Sequence, residues 1–253
     1  MSMSIISSTL SHLTKLFLSA NCPLCQRSAS KVLCSACHQQ LLGCRQSAHG
    51  NGQPKPIQQR NTLDIFAWGH YQGLLKQALT QLKYGDQAEL GLWLGLELGN
   101  YWRKHPASHR LQQASVVPIP LHQQRHQQRG YNQAALIAKG VCKATGLHFA
   151  EHGLMRTKNT QAMYSLGVEA RQTNLHKAFR LGPKPPSPSK PIILIDDIYT
   201  TGTTALTAAE TLRTEGYRVP AIMAVAQTKY VAPVVDRSKP DHGGQILKPR
   251  LIP

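Results

Sequence analysis

The chain has 253 residues, 41% of them hydrophobic, and its 29 Lys and Arg against 12 Asp and Glu give a formal net charge of +17. This length allows one well-packed domain with a small accessory module. No run of about 18 apolar residues is present, which argues against a membrane span. The strong positive charge favours contact with phosphate groups, on a small polyanion or on nucleic acid, with a solvated basic surface as the alternative.

The N-terminal segment, residues 5–18, has apolar side chains at roughly helical spacing. Lys15 lies inside this apolar run, whereas a signal peptide carries its charge before the run. The pattern therefore predicts a short amphipathic helix that docks on the rest of a cytoplasmic protein. Contact with a membrane surface is the alternative.

Five of the six cysteines lie within residues 22–44. Cys22 and Cys25 form one C-x-x-C pair, and Cys34 and Cys37 form a second pair eight residues later. Two such pairs can surround Zn²⁺ in a closed tetrahedral site, which is the structural kind. Disulfides are the alternative, but nothing in the sequence indicates an oxidising compartment.

The central part of the chain alternates strand patterns with helix patterns. Strands are predicted at residues 65–71, 114–119, 192–195 and 219–225, and helices at residues 74–82, 90–98, 132–144 and 203–215. This alternation favours a parallel sheet covered by helices on both faces. The predicted fold class is therefore α/β.

Four apolar residues, two acids and a Thr/Gly loop follow one another in residues 192–204. The apolar run is typical of a buried parallel strand, and the loop would lie at the sheet edge where open α/β sheets bind ligands. Loop N–H groups and the next helix start favour phosphate, whereas Asp196 and Asp197 suit ribose hydroxyls or a Mg²⁺ ion. A P-loop is excluded because no Lys follows Gly202. An ordinary strand with a capped helix is the alternative.

Two further basic segments precede this one. Residues 116–133 combine a proline-containing strand end with Arg125 and Arg129, whose spacing suits a diphosphate. Residues 156–179 carry basic and polar side chains and predict a mobile lid that closes over a charged substrate. Solvent-facing arginines in the first segment and a plain surface loop in the second are the alternatives.

Composition divides the chain into four parts. We predict an N-terminal helix with a zinc module in residues 1–45 and a linker in 46–62. The α/β domain occupies 63–228, with an exposed proline-rich loop at 182–191. Residues 229–253, with four prolines and a glycine pair, are predicted to be a disordered tail.

Taken in order, these motifs resemble the ComF family of phosphoribosyltransferase-like proteins linked to bacterial competence, including GntX-type relatives. The motifs are the double Cys pair, Pro-x-Pro-Leu with Arg-Gly-Tyr-Asn-Gln, Arg-Thr-Lys-Asn-Thr-Gln with Arg-x-x-Asn-x-x-x-Ala-Phe, and Ile-Asp-Asp with Thr-Thr-Gly-Thr-Thr. The resemblance covers about residues 15–228. Tyr131 stands where many relatives have Phe. Ser47 stands where a third Cys pair, begun by Cys44, would end, which puts a second metal in doubt and leaves the first.

The resemblance implies a type I phosphoribosyltransferase fold with a site for phosphoribosyl diphosphate (PRPP) and Mg²⁺. It implies that Asp196 and Asp197 are the catalytic pair that holds the ribose 2- and 3-hydroxyls. The 5-phosphate would be bound by Thr200, Thr201, Gly202, Thr203 and Thr204. The diphosphate would be lined by Pro120, Leu121, Arg125 and Arg129. The lid would contribute Arg156, Gln161, Arg171 and Asn174.

If the chain is an enzyme, the resemblance implies displacement of diphosphate from ribose C1, with Mg²⁺ and arginines neutralising the leaving group. The sequence indicates no acceptor. A PRPP sensor without turnover is one alternative. Another is a single-stranded DNA-binding factor that acts with the competence machinery in DNA uptake. Because aromatic residues make up 6% of the chain, such binding would depend mainly on phosphate contacts.

Overall fold

The computed structural model describes residues 21–46, 56–60, 63–157 and 178–228. The described helices are α1 (Ser35–Gly43), α2 (Gly73–Tyr84), α3 (Ala88–Trp102), α4 (Ala107–Arg110), α5 (Gln123–Arg129), α6 (Gln133–Thr145) and α7 (Thr203–Thr214). The described strands are β1 (Gln58–Arg60), β2 (Leu63–His70), β3 (Ser115–Pro118), β4 (His148–Phe149), β5 (Leu154–Arg156), β6 (Phe179–Leu181), β7 (Ile192–Tyr199) and β8 (Ala221–Gln227). The predicted N-terminal helix, the predicted tail and the lid residues Gln161, Arg171 and Asn174 lie outside these ranges.

Six of the described strands form one sheet in the order β1-β2-β8-β7-β3-β4. The strands β2, β8, β7, β3 and β4 all run parallel to one another. Strand β1 pairs antiparallel with β2 at one edge of the sheet. Parallel strands end at the same edge of a sheet, so the segments that follow β2, β3, β7 and β8 meet there. The α/β fold with a parallel sheet is therefore confirmed.

The sheet separates two hydrophobic layers, since side chains alternate along each strand. Ile193 and Ile195 of β7 face the layer that contains α2, α3 and α6. Ile192 and Leu194 face the opposite layer, which contains α7. All four are fully buried, which explains why β7 reads as a continuous apolar run.

Helices α3 and α6 cross in close contact on one face of the sheet. At Gly140 of α6, an added Cβ would run into the backbone of Leu92 and Leu96 of α3. At Gly95 of α3, an added Cβ would run into the backbone of Ile137. These two glycines therefore set the separation of the helices, and α6 carries the start of its first turn to the functional edge of the sheet.

The cysteine-rich segment packs on the α/β domain. Cys22, Leu24 and Leu41 belong to the same buried cluster as the α2 and α3 side chains. The Gln77 side-chain amide donates to the Leu24 carbonyl at 2.8 Å, and the Gln46 N–H donates to the strand carbonyl of Trp68 at 2.8 Å. The predicted module thus shares one core with the domain.

Three details differ from the sequence-based expectations. The basic segment after β3 is a helix, α5, because His122 caps its first turn and Gly130, in the left-handed conformation (φ 73°), ends it. Strand β7 continues through the acidic pair because it pairs with β8 as far as Tyr199. Part of the predicted linker, Gln58–Arg60, forms edge strand β1.

None of the described helices has both the length and the apolar character that a bilayer crossing requires.

Candidate functional site

The acidic pair lies at the carboxyl end of the central strand β7. The Asp196 carboxylate accepts a hydrogen bond from the backbone N–H of Asp197 at 2.8 Å. The Asp197 carboxylate accepts one from the backbone N–H of Ile198 at 2.7 Å. These local bonds hold both carboxylates against the strand end. The pair is therefore fixed in position before any ligand arrives.

Lys83, near the end of α2, reaches the acidic pair from another layer. Its Nζ lies 2.7 Å from Asp197 Oδ2, and the two side chains are 17% and 15% exposed. An ion pair with this little exposure is screened less than a surface pair. In the structure, Lys83 is thus the counter-ion of Asp197.

The Asp196 carboxyl lies in an environment that disfavours its ionised form. Burial, and then repulsion from Asp197, raise its pKa from 3.8 to about 7, against the opposing effects of the Asp197 N–H and of Lys83. Near neutral pH the Asp196 carboxyl is therefore present in both its protonated and its ionised form.

The loop from Thr200 to Gly202 joins β7 to α7 in a tight turn. Gly202 has φ 79°, in the left-handed region, and an added Cβ would collide with the Tyr199 ring. The hydroxyls of Thr201 and Thr203 are 2.9 Å apart. A side chain at position 202 would thus have to displace the ring that supports the loop.

The basic helix α5 lies on the other side of the acidic pair, after β3. Arg129 donates to the Gln133 side-chain oxygen at 3.0 Å, and its guanidinium lies 5.2 Å from the centre of the Tyr84 ring. Tyr84 is the one large hydrophobic side chain in the described part of the chain that is exposed, at 75%.

Arg156, the last residue of β5, approaches from the β5–β6 hairpin. Its guanidinium lies 5.4 Å from the centre of the Phe179 ring, which β6 holds directly opposite in the ladder. Burial and the nearby charge of Arg125 lower the pKa of Arg156, while Asp196 opposes that shift. The side chain therefore belongs to the same electrostatic environment as the acidic pair.

A cavity of about 160 Å³ joins these groups at the carboxyl edge of the sheet. Its lining includes the predicted residues Pro120, Leu121, Arg125, Arg129, Arg156, Asp196, Asp197 and Thr204. Thr200, Thr201, Gly202 and Thr203 do not line it, and the three threonines among them are exposed. Four cationic side chains against two carboxylates give the cavity a positive balance, which suits an anionic ligand.

Sequence reasoning missed Lys83 and assigned no site role to Asn132 and Gln133, although all three line the cavity. The two latter residues belong to the Arg-Gly-Tyr-Asn-Gln motif, so that motif was the available signal. No local signal existed for Lys83, because it comes from a helix 114 positions before Asp197 in the chain.

The two predicted cysteine pairs come together as a second candidate site. The sulfurs of Cys22, Cys25, Cys34 and Cys37 all lie within 4.8 Å of one another, and those of Cys25 and Cys34 are 3.5 Å apart. Zn–S bonds of about 2.3 Å in a tetrahedron place sulfurs about 3.8 Å apart. The four thiols therefore fit a metal ion such as zinc.

Local geometry prepares these thiols for metal binding. Burial opposes ionisation of Cys22, but hydrogen bonds from backbone N–H groups, that of Cys34 foremost, outweigh it and lower its pKa to about 6. Burial, and then hydrogen bonds with the other three sulfurs, raise the pKa of Cys37. The close sulfurs share protons through these hydrogen bonds. A metal cation that replaces the protons allows the sulfurs to bind it as thiolates.

Comparison with known proteins finds relatives that match most of the chain. No family model matches the chain. The chain is 26% identical over 218 residues to the DNA utilization protein YhgH of Escherichia coli K12, covering 82% of this chain and 90% of that protein. It is 27% identical over 199 residues to competence protein F of Haemophilus influenzae, covering 74% and 87% of the two chains.

A third relative is competence protein ComFC of Bacillus subtilis, which is 28% identical over 205 residues, covering 77% of this chain and 72% of that protein. The matches extend over most of the chain and over most of each relative. They confirm the resemblance of this chain to the ComF family that its motifs indicate.

We predict that Asp196→Asn changes the pH dependence of stability. The folded pKa of about 7 exceeds the ordinary 3.8, so between these values the folded protein holds a proton that the unfolded chain has lost. The free energy of unfolding of the wild type should therefore fall, relative to the Asn variant, as pH rises from about 4 to 7, and level off above. Urea unfolding at pH 5, 6, 7 and 8 measures this difference. Parallel curves for the two proteins would contradict it.

We predict that Cys25→Ser removes the bound metal and destabilises the whole domain, because the cysteine segment shares its core with α2 and α3. Structural zinc contributes about 10–16 kcal/mol of binding free energy in small modules, so loss of a ligand should cost several kcal/mol. Metal content by mass spectrometry and the thermal midpoint are the measurements. Cys44→Ser is the matched control, since Cys44 lies outside the cluster. Equal zinc content in both variants would disprove the assignment.

Proposed function

We propose that the chain binds PRPP in the cavity at the carboxyl edge of the sheet, within a fold of the type I phosphoribosyltransferase kind. The observation that carries this proposal is the meeting of the acidic pair, the start of α7 and the arginines of α5 and β5 around one cavity. Carboxylates suit sugar hydroxyls, a helix start suits a phosphate, and arginines suit a diphosphate.

In this proposal Asp196 and Asp197 accept hydrogen bonds from the ribose hydroxyls. Lys83 already occupies Asp197, so the ligand must share that carboxylate or displace the ammonium group. Mg²⁺ would enter with the diphosphate, since one carboxylate is paired with Lys83 and the other has a pKa of about 7. When bound, Mg²⁺ would neutralise the diphosphate charge.

The threonine loop is proposed to hold the 5-phosphate. Thr204 lines the cavity, and the exposed Thr201 and Thr203 stand near it in the chain, one before α7 and one at its first position. The helix start adds positive potential there. Gln161, Arg171 and Asn174, which lie outside the described ranges, are likewise proposed as lid residues.

Phosphoribosyl transfer is the activity that such binding supports. The C1–O bond to diphosphate would break, a bond from C1 to the acceptor would form, and the arginines would stabilise the departing diphosphate. Diphosphate release from bound PRPP distinguishes a transferase from a sensor: release that depends on an added acceptor supports transfer, and stable binding without release supports sensing.

We propose a structural role for the cysteine cluster. Four thiols complete a tetrahedral shell and leave no open position for a substrate. The division into a metal module (1–45), a linker (46–62), an α/β domain (63–228) and a tail (229–253) is likewise proposed, with part of the linker, Gln58–Arg60, paired to the sheet of the domain.

We predict that Arg125→Ala weakens PRPP binding about tenfold and ribose 5-phosphate binding much less, because ribose 5-phosphate has no diphosphate for Arg125 to contact. Asp197→Asn should weaken the binding of both ligands. Isothermal titration calorimetry measures the affinities. Arg218→Ala, an exposed arginine before β8 at the opposite edge of the sheet, is the control. An equal loss of both ligands in Arg125→Ala would contradict the diphosphate role.

A second function, contact with single-stranded DNA, is favoured by the exposed ring of Tyr84 beside the basic helix α5. Nonspecific single-strand binding combines a cationic groove with aromatic rings on which bases stack. The relatives named for DNA utilization and competence agree with this candidate. It is compatible with PRPP binding, because one fold can carry both sites.

We predict that Tyr84→Ala weakens binding of oligo(dT) about tenfold, because stacking contributes about 1–3 kcal/mol per base. Tyr84→Phe keeps the ring and should retain the affinity. An abasic oligonucleotide of equal length carries the same phosphates, so its affinity should be equal for all three proteins. Fluorescence anisotropy across a salt series measures these affinities. Equal binding of both oligonucleotides by the wild type would refute the stacking role.

A further inference from the structure

The first residue of α6, Gln133, is a polar side chain inside the protein. It is 1% exposed and lines the cavity together with Lys83, Arg125 and Arg156. Helix starts usually carry polar residues that cap the backbone, but here the neighbouring Asn132 does so, accepting the Ala134 N–H at 3.1 Å. Capping therefore does not explain a buried glutamine at this position.

The orientation of the Gln133 amide is fixed by Arg129. The guanidinium Nη1 lies 3.0 Å from Oε1, and a guanidinium only donates hydrogen bonds, so the atom that faces it is the oxygen. The Nε2 group then faces elsewhere. It has no hydrogen-bond partner among the residues that the structure describes.

A buried donor without a partner is destabilising and rare in native proteins. The cavity around Gln133 offers mainly further donors, namely one ammonium and three guanidinium groups. The two carboxylates of the cavity are engaged by backbone N–H groups, and one of them also by Lys83. None of the described residues supplies the acceptor for this donor. The surrounding positive charge favours an anionic acceptor on a bound ligand.

We propose that Gln133 is a ligand-binding residue, whose Nε2 donates a hydrogen bond to an anionic phosphate or diphosphate oxygen of the ligand. The inference rests on the proposed function and names a specific contact within that site. Arg129 acts as the positioning residue, since its bond to Oε1 turns the amide donor away from itself. The ligand supplies what the protein leaves unsatisfied.

The substitution Gln133→Glu tests this contact with the smallest change in shape. It keeps an oxygen for Arg129 and replaces the donor with a second oxygen. We expect the affinity for inorganic diphosphate and for PRPP with Mg²⁺, measured by calorimetry, to fall about tenfold or more. The thermal midpoint of the ligand-free protein should stay equal or rise, because the unpaired donor is gone and the pair with Arg129 gains charge.

Gln128→Glu is the matched control, since it makes the same charge change at an exposed position of α5 outside the cavity. Gln133→Met is a second variant that removes the donor without adding charge, and it too should lose affinity. In the wild type, diphosphate should also shift the ¹⁵N resonance of the Gln133 side-chain amide, which a purely structural role would leave in place.

The possible results separate this inference from the proposed function. If the wild type binds both probes and the two Gln133 variants bind them equally well, the assignment of Gln133 is wrong and the site stands. If the wild type binds neither PRPP nor diphosphate, the site and the assignment both fail. Loss of affinity in the two Gln133 variants alone, with ligand-free stability retained, supports the contact.

Discussion

The burial of β7 on both faces and along both edges is the constraint on which the site depends. Its apolar side chains fill two layers, and its backbone pairs with β3 and β8. This fixation allows two carboxylates to stand next to each other at its end, although burial and mutual repulsion oppose their charge. Lys83 offsets part of that cost. The cavity is thus a place where a stable core supports an electrostatically unfavourable group.

The cavity is assembled from segments that are far apart in the chain. Lys83 comes from the end of α2, Arg129 from α5, Arg156 from a hairpin on the other layer, and the acids from β7. The acids and α5 meet because the parallel strands β7 and β3 end at one edge of the sheet. Lys83 and Arg156 reach the same cavity from a helix and from the antiparallel β5–β6 hairpin. Its positive balance favours an anionic ligand, and so does the Gln133 donor, which has no partner within the part of the chain that the structure describes. This agreement between charge and hydrogen bonding supports a phosphate-bearing ligand.

The four-cysteine cluster contributes to the same architecture at a distance from the cavity. The cysteine segment packs its buried side chains against α2 and α3, so its folding and that of the domain are coupled. Helix α2 begins near this segment and ends at the acidic pair. A metal ion bound by these cysteines would therefore act on an element that carries a residue of the cavity.

The sequence by itself determined the periodic and the local features: the buried run of β7, the leucine spacing of α2 and α3, the double cysteine pair and the family resemblance. These depend on side-chain pattern over a few residues, which the chain displays directly. Helix α5 escaped prediction because its ends depend on a histidine cap and a left-handed glycine rather than on apolar spacing. Only the tertiary structure decided that Lys83 pairs with Asp197, and that Arg129 orients a buried Gln133. Lys83 and Asp197 are 114 positions apart in the chain. Arg129 and Gln133 belong to one motif, but they lie on different helices. Both contacts therefore depend on how α2, α5 and α6 pack around the carboxyl edge of the sheet.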